Sequence, residues 1–320
     1  MIALDVMGGD YAPGAILEGS LRAAKKSIPV MLFGPATLVR AELDKLDPAW
    51  ESYCLSVSDA PDIVAMDDEP VLAVRKKPDS SLVKAVASVK AGQCVTVVSA
   101  GNSGALMAAA TFLLGRQEGI ERPAIAGLMP SLNGNILMLD LGANTDCRPQ
   151  YLLQFARLGT EYARNTLNIN NPRVGLLSNG HEAGKGSQLV KDAFELLTQD
   201  KSINFIGNVE PYDLLENRSD IIISDGFAGN VFLKTVETTF ELCMKLLKQD
   251  IGEQQDNPAI QIWAKNFFTK ISAKLHHKRF GGAFLLGVKG NVIVCHGSSD
   301  AKTIEHALVF AWESARNQQK

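Results

Sequence analysis

The 320-residue chain is 46% hydrophobic and 21% charged, the usage of an ordinary globular protein with apolar side chains enough for a large core. With 32 basic against 35 acidic residues the formal charge is −3, so no global positive field points to nucleic acid. The longest apolar stretch, Ala105 to Leu114, is too short to span a bilayer, and the first residues lack a signal peptide's basic start and apolar core, so the expectation is a cytoplasmic protein.

In chain order, short β-branched runs alternate with segments whose apolar residues recur three and four apart. A strand is predicted over Ile2–Val6, a helix over Ala15–Ala24, a strand over Val30–Phe33 and a helix over Ser81–Ala91. Further strands are predicted at Cys94–Ser99, Ile136–Leu141, Val174–Leu177, Phe205–Ile206, Ile221–Ser224 and Val292–Cys295. Helices are predicted at Gly104–Leu114, Leu152–Leu167, Leu189–Leu197, Val231–Leu247 and from about Asp300 to Arg316. Strands buried on both faces read as continuous apolar runs, so the expected fold is α/β: three layers around a mainly parallel, doubly wound sheet. No linker or composition shift divides the chain, which predicts one domain over 1–320 with a protruding helical pair near 231–276.

Five cysteines at positions 54, 94, 147, 243 and 295 suit neither a disulfide framework nor a zinc site; they read as reduced thiols, Cys94 and Cys295 within the core.

The loops after the strands carry the functional signal. Gly8-Gly9-Asp10, Gly101-Asn102-Ser103-Gly104, Gly142-Ala143-Asn144, Gly180 to Gly186 and Asp225 to Asn230 each follow a strand. In open α/β sheets ligands bind at the carboxyl ends of strands, where glycine lets backbone N–H groups approach an anion. The five loops predict one composite anion pocket, although each glycine taken singly could simply make a tight turn. Other motifs fail. Gly180 to Ser187 has a glycine one residue too close for a nucleotide phosphate loop, and Gly186 replaces its hydroxyl residue. The dinucleotide fingerprint and the G-x-S-x-G elbow are both missing, and His276-His277 has no zinc spacing.

Read together, Asp5-Val6-Met7-Gly8-Gly9-Asp10, Ser99 to Ala105, Asp140 to Asn144 and Asp225 to Asn230 resemble the bacterial phosphate acyltransferases of phospholipid synthesis, the PlsX family. The resemblance continues through Gly281-Gly282 and His296 to Ser299, covering essentially the whole chain. It implies transfer of an acyl group from acyl carrier protein to inorganic phosphate, giving acyl phosphate for a membrane glycerol-3-phosphate acyltransferase. It also implies a fold similar to the isocitrate and isopropylmalate dehydrogenases, a homodimer near the inner membrane face, and neither cofactor nor metal. The sequence departs from the family at Ser103, where threonine is usual, at Phe284, where proline is usual, and at His181 and Gly184 in a normally acidic loop.

Phosphorolysis of a thioester needs a held phosphate, a polarised carbonyl and a departing thiolate, and no enzyme nucleophile. The thiol, with a pKa of about 8.5, leaves with little acid assistance. The expected catalytic residues are Lys185, Asn230 and His296, the last as phosphate orienter, acid or loop brace. Phosphate and substrate contacts are expected from Asp5, Gly8, Gly9, Asp10, Gly101, Asn102, Ser103, Gly104, Asn144, Asp225 and Gly229, with two or three aspartates bracing loops instead. From Asn257 to Ser299 there is no acidic residue, while Trp263 and Phe267 recur at helical spacing with Lys265, Lys270 and Lys274 beside them. That apolar and basic surface suits an anionic membrane, the acidic carrier protein or a dimer partner. The competing readings are a metal-dependent 2-hydroxyacid oxidoreductase using Asp225 for magnesium, and a scaffold without catalysis.

Overall fold

Alternate residues of each central strand go to opposite sides of one sheet. Ile2 and Leu4 belong to one apolar core and Ala3 to another; Ile221 and Ile223 likewise face away from Ile222. The structure, a computed structural model, describes residues 1–252, 258–275 and 281–317. Among these, the strands are β1 (Ile2–Asp5), β2 (Val30–Gly34), β3 (Leu55–Asp59), β4 (Thr96–Ser99), β5 (Ala124–Ser131), β6 (Gly134–Leu139), β7 (Arg173–Leu177), β8 (Asn204–Val209), β9 (Ile221–Ile223), β10 (Ala283–Leu286) and β11 (Asn291–Val294). They form one sheet in the order β3-β2-β1-β4-β11-β10-β5-β6-β9-β7-β8.

Seven of the ten pairings are parallel, and the three antiparallel ones join β11, β10, β5 and β6. Three reversals between β11 and β6 leave the two halves running in opposite directions. The carboxyl ends of β1, β4 and β11 therefore lie on one edge of the sheet, and those of β6, β7 and β9 on the other. β11, from the end of the chain, is inserted between β4 and β10.

Helices cover both faces, which makes the three expected layers. One face packs α1 (Gly14–Ala24), α2 (Ala36–Leu46), α6 (Pro149–Asn165), α7 (Gln188–Gln199) and α11 (Ala301–Asn317). The other packs α3 (Pro70–Lys76), α4 (Ser81–Lys90), α5 (Ser103–Ala109), α8 (Asp213–Glu216) and the first turns of α9 (Gly226–Gly252). A π-helical turn, Ala110–Leu114, continues α5. The last helix, α10 (Pro258–Leu275), packs on α9.

The strands and helices expected from the sequence are present within a few residues. Those not anticipated, β3, β5 and β10 with α2, α3 and α8, have weak local signals. β5 carries Gly127 and Pro130, β3 alternates apolar residues with serine on the sheet edge, and β10 is only four residues long.

Candidate active site

The loops after β1, β4 and β11 meet at one sheet edge. Asp10 N–H donates to Gly297 O at 2.8 Å, and a Cβ on Gly8 would stand 2.6 Å from Gly101 N, so only glycine lets these loops touch. Asp5 is buried beneath them and accepts from Ser81 Oγ at 2.6 Å, Ser99 Oγ at 2.7 Å and Met7 N–H at 3.3 Å. Burial pushes its pKa up against those three donors. Asp5 is a brace under Gly8, Gly9 and Gly101. Asn102 is likewise committed: its Oδ1 caps α5 through Ala105 N–H, and its Nδ2 donates to Met66 O at 3.1 Å and Asp68 O at 3.0 Å. The Asn102 side-chain amide therefore holds the 65–68 loop against the start of α5. Ser103 beside it is exposed, and its hydroxyl has no partner among the described residues. Gly104 packs against Pro70.

A second constellation forms at the opposite edge. Asp140, fully buried, gathers Ile125, Ala143 and Asn144 N–H at 2.9, 3.1 and 2.7 Å and Asn144 Nδ2 at 2.9 Å. Burial raises its pKa against these bonds. Asn144 also donates to Pro123 O, so its amide nitrogen is structural. Asp225 Oδ1 accepts from Ala228 N–H at 2.8 Å, an N-cap on α9, and Gly226 N–H donates to Asn144 O at 2.7 Å. Gly229 packs so tightly that a Cβ would lie 2.0 Å from Asp140 O. The next residue, Asn230, half-buried against Gly142, has no hydrogen bond for its side-chain amide among the described residues.

Lys185 sits in the loop after β7, on the same edge as Asn230. It is exposed, makes no ion pair among the described residues, and lays its stem across Gly180. Its loop is tied down by Asn208 Nδ2 to Glu182 O at 2.9 Å and by His181 Nε2 to Asp213 Oδ2 at 2.7 Å. Burial works to raise the Asp213 pKa, but Glu210 N–H and His181 hold it below the usual carboxylate range.

The five loops therefore do not make one pocket. Opposed strand directions put Asp5, Gly8, Gly9, Asp10, Gly101 to Gly104 and His296 on one edge, and Asn144, Lys185, Asp225, Gly229 and Asn230 on the other. Helix α9 links the two edges. Eleven residues after Gly226, about 17 Å along its axis, Glu237 lies 3.6 Å from His296 Nε2. Glu237 is two turns from Asn230 on the same helix face. A cavity of about 520 Å³ also runs between them beside α5, from Pro70 and Gly104 to Arg116, Arg122 and Asn144. Glu237, Arg116 and Arg122 escape sequence reasoning because none belongs to the five glycine loops that follow strands; a cation pair just before β5 is the signal that was there to read.

A family sequence model described as fatty acid synthesis protein matches residues 1–320. The chain is 44% identical over 315 residues to the phosphate acyltransferase of Citrifermentans bemidjiense, covering 98% of this chain and 89% of that one. It is 43% identical over 317 residues to the phosphate acyltransferase of Pelotomaculum thermopropionicum, covering 99% and 92%. The chain belongs to the phosphate acyltransferase family. It is accordingly an acyltransferase of lipid synthesis. Among solved structures, a phosphotransacetylase from Streptococcus pyogenes superposes with a TM-score of 0.62 at 18% identity, over 100% of this chain and 94% of that one. A 4-hydroxythreonine-4-phosphate dehydrogenase from Klebsiella pneumoniae gives 0.58 at 14%, over 98% and 99%. The acyltransferase thus shares the dehydrogenase-like fold.

Its cysteines are poor nucleophiles near the site. Burial, with Asp140 nearby, pushes the Cys147 thiol up to about 12, and burial alone does the same to Cys295. On the helical pair of the acyltransferase, Trp263 is exposed and stacks on Phe267 at 5.0 Å between ring centres, with Lys265 and Lys270 exposed beside them. The side chain of Lys274, and His276, His277, Lys278 and Arg279, lie outside the described residues. No described helix is long and apolar enough to cross a membrane.

Proposed function

We propose that this acyltransferase moves an acyl group from the thioester of acyl carrier protein to inorganic phosphate. The observation that carries the reading is the uncommitted Asn230 amide, held rigid by Gly229 against the Asp140 loop, on the same sheet edge as the unpaired Lys185. Asp140, Asn144 and Asp225 on that edge are tied to the fold, whereas these two make no side-chain hydrogen bond or ion pair among the described residues and can meet an anion. A hydrogen phosphate oxygen attacks the thioester carbonyl carbon, the bond between that carbon and the phosphate oxygen forms, the C–S bond breaks, and the phosphate's proton ends on the departing sulfur. Lys185 holds the phosphate as a point charge, and Asn230 donates to the oxygen that becomes negative in the tetrahedral intermediate. The raised thiols of Cys147 and Cys295 suit a direct attack without a covalent enzyme intermediate.

The product is a mixed anhydride, so its consumer is a further acyl transfer, to glycerol 3-phosphate at the membrane. The same reading includes a homodimer built on the exposed apolar residues of α9 and α10, among them Leu242, Leu246 and Ile262, in a cytoplasmic protein that meets the inner membrane face peripherally. Lys265 and Lys270 give that surface its charge for the acidic carrier.

The test is phosphate-dependent thiol release from a long-chain acyl carrier thioester, with acyl phosphate identified by mass. Lys185→Ala is expected to lose at least about 100-fold in rate, roughly 2.7 kcal/mol of transition-state stabilisation. Thiol release that ignores phosphate, or a Lys185→Ala enzyme as fast as wild type, would overturn the assignment.

A further inference from the structure

The cavity beside α5 has ends of different chemistry. Pro70 and Val71 form one end; Arg116, Glu121 and Arg122 form the other, two cations to one carboxylate, beside Tyr151 and the buried Asn144. Met107 and Ala108 line the stretch between, and the π-helical turn brings Thr111 and Phe112 to the same wall. Neither guanidinium has a carboxylate partner among the described residues. Arg116 Nη1 donates to the carbonyl of Glu121 at 2.5 Å, Arg122 lies 6.0 Å from the ring centre of Tyr151, and the Glu121 carboxylate accepts instead from Gln154 at 3.2 Å.

We propose that this cavity seats the acyl phosphate, its phosphoryl head between Arg116 and Arg122 and its acyl chain along Met107 and Ala108 toward Pro70. The proposal rests on the acyl-transfer reading above. Charge complementarity fixes both the occupant and its direction. A wholly polar ligand leaves the Met107 and Ala108 wall without an apolar partner, and a neutral chain leaves uncompensated the excess of Arg116 and Arg122 over the one carboxylate, Glu121, at that end. The head end adjoins the reacting groups, since Asn144 belongs to the loop on which Asn230 packs. The tail end leads away from them. Val71 at the tail end and Ala108 along the wall then set the length of chain accepted.

The test uses stable analogues, a series from hexyl to dodecyl phosphate, titrated calorimetrically into the full chain. Affinity is expected to rise by up to about fourfold per methylene and to level off once the cavity is filled. Arg122→Gln should weaken every member at least tenfold without moving the plateau. Ala108→Phe should move the plateau to shorter chains and Val71→Ala, at the tail end, to longer ones, with folding of each variant checked by circular dichroism. Binding that does not depend on chain length, or a plateau unmoved in two folded variants, overturns the proposal. If thiol is released with phosphate while alkyl phosphates bind no tighter than inorganic phosphate, the cavity assignment fails and the reaction stands. If alkyl phosphates bind as expected but phosphate releases no thiol, the seat stands and the reaction fails.

Discussion

Gly229→Ala is the most direct probe of how the fold positions Asn230. A methyl group there would sit 2.0 Å from Asp140 O and 2.6 Å from Ser224 Oγ. Ordinary contact between carbon and a carbonyl oxygen begins near 3.3 Å, so the backbones are short of room by about 1.3 Å. Both clashing groups are pinned: Asp140 by its ring of N–H donors, and the helix start by the Gly226 to Asn144 and Ala228 to Asp225 bonds. Alanine gains about 1 kcal/mol of helix propensity over glycine. Overpacking of about 1–3 kcal/mol and the loss of one or two of those bonds, about 1 kcal/mol each, outweigh it. The net expectation is a loss of about 1–4 kcal/mol, seen as a melting temperature lower by roughly 1.5–6 °C in a chain of 320 residues. Asn230, the next residue, is carried along, and a displacement near 1 Å costs about 100-fold in rate. Calorimetry and the thiol-release assay on one preparation check both numbers. Gly14→Ala, where nothing stands within 4 Å, is the neutral control. A Gly229→Ala protein that melts with wild type and turns over at the same rate would refute the account of how α9 is seated.

Three further outcomes are expected. Asn102→Ala should lower stability by about 2–3 kcal/mol, since a cap and two good bonds to the 65–68 loop disappear, whereas Ser103→Ala should leave the melting temperature unchanged; urea titration separates them. Asp220 is held below the usual carboxylate range because Arg173 and its N–H outweigh the opposing effect of burial, so its contribution is present above about pH 4 and is lost as pH falls through the depressed pKa. Asp220→Asn should then be less stable than wild type by about 1 kcal/mol at pH 7, with the gap narrowing in melts as the pH is taken below the ordinary aspartate range. His296→Gln should slow turnover by only about tenfold with unchanged stability, because a thiol leaving group requires little acid help; a 1000-fold loss in stopped-flow thiol release would make His296 an essential acid.

The sequence carried most of the fold because burial on both faces leaves its mark on composition, as in Ile221–Ile223. It could not show strand direction. The reversals through β10 and β5 arise from pairings between residues 124–126 and 284–286, far apart in the chain, and they decide which loops meet. The same limit applies to the site. Asn102, Asn144 and Asn230 look alike as asparagines after strands, and only their hydrogen-bond partners separate two committed amides from a free one. Arg116 and Arg122 gain meaning from the apolar wall of α5, which a linear reading assigns to core. His181, at a position where the resemblance expects an acidic run, proves to fasten the Lys185 loop to Asp213.

The place of β11 in the sheet has a consequence for synthesis. β4 and β10 cannot be bridged until residues 291–294 have been made, so the first half of the chain waits with a hydrophobic strand edge open while nearly two hundred further residues are added. A parallel pairing between positions 96 and 291 is a long-range contact of the slowest kind to close. Nascent chains of this architecture should therefore depend on protection of the β4 edge until late in translation, and cutting the chain before β11 should yield an aggregate instead of a smaller folded domain.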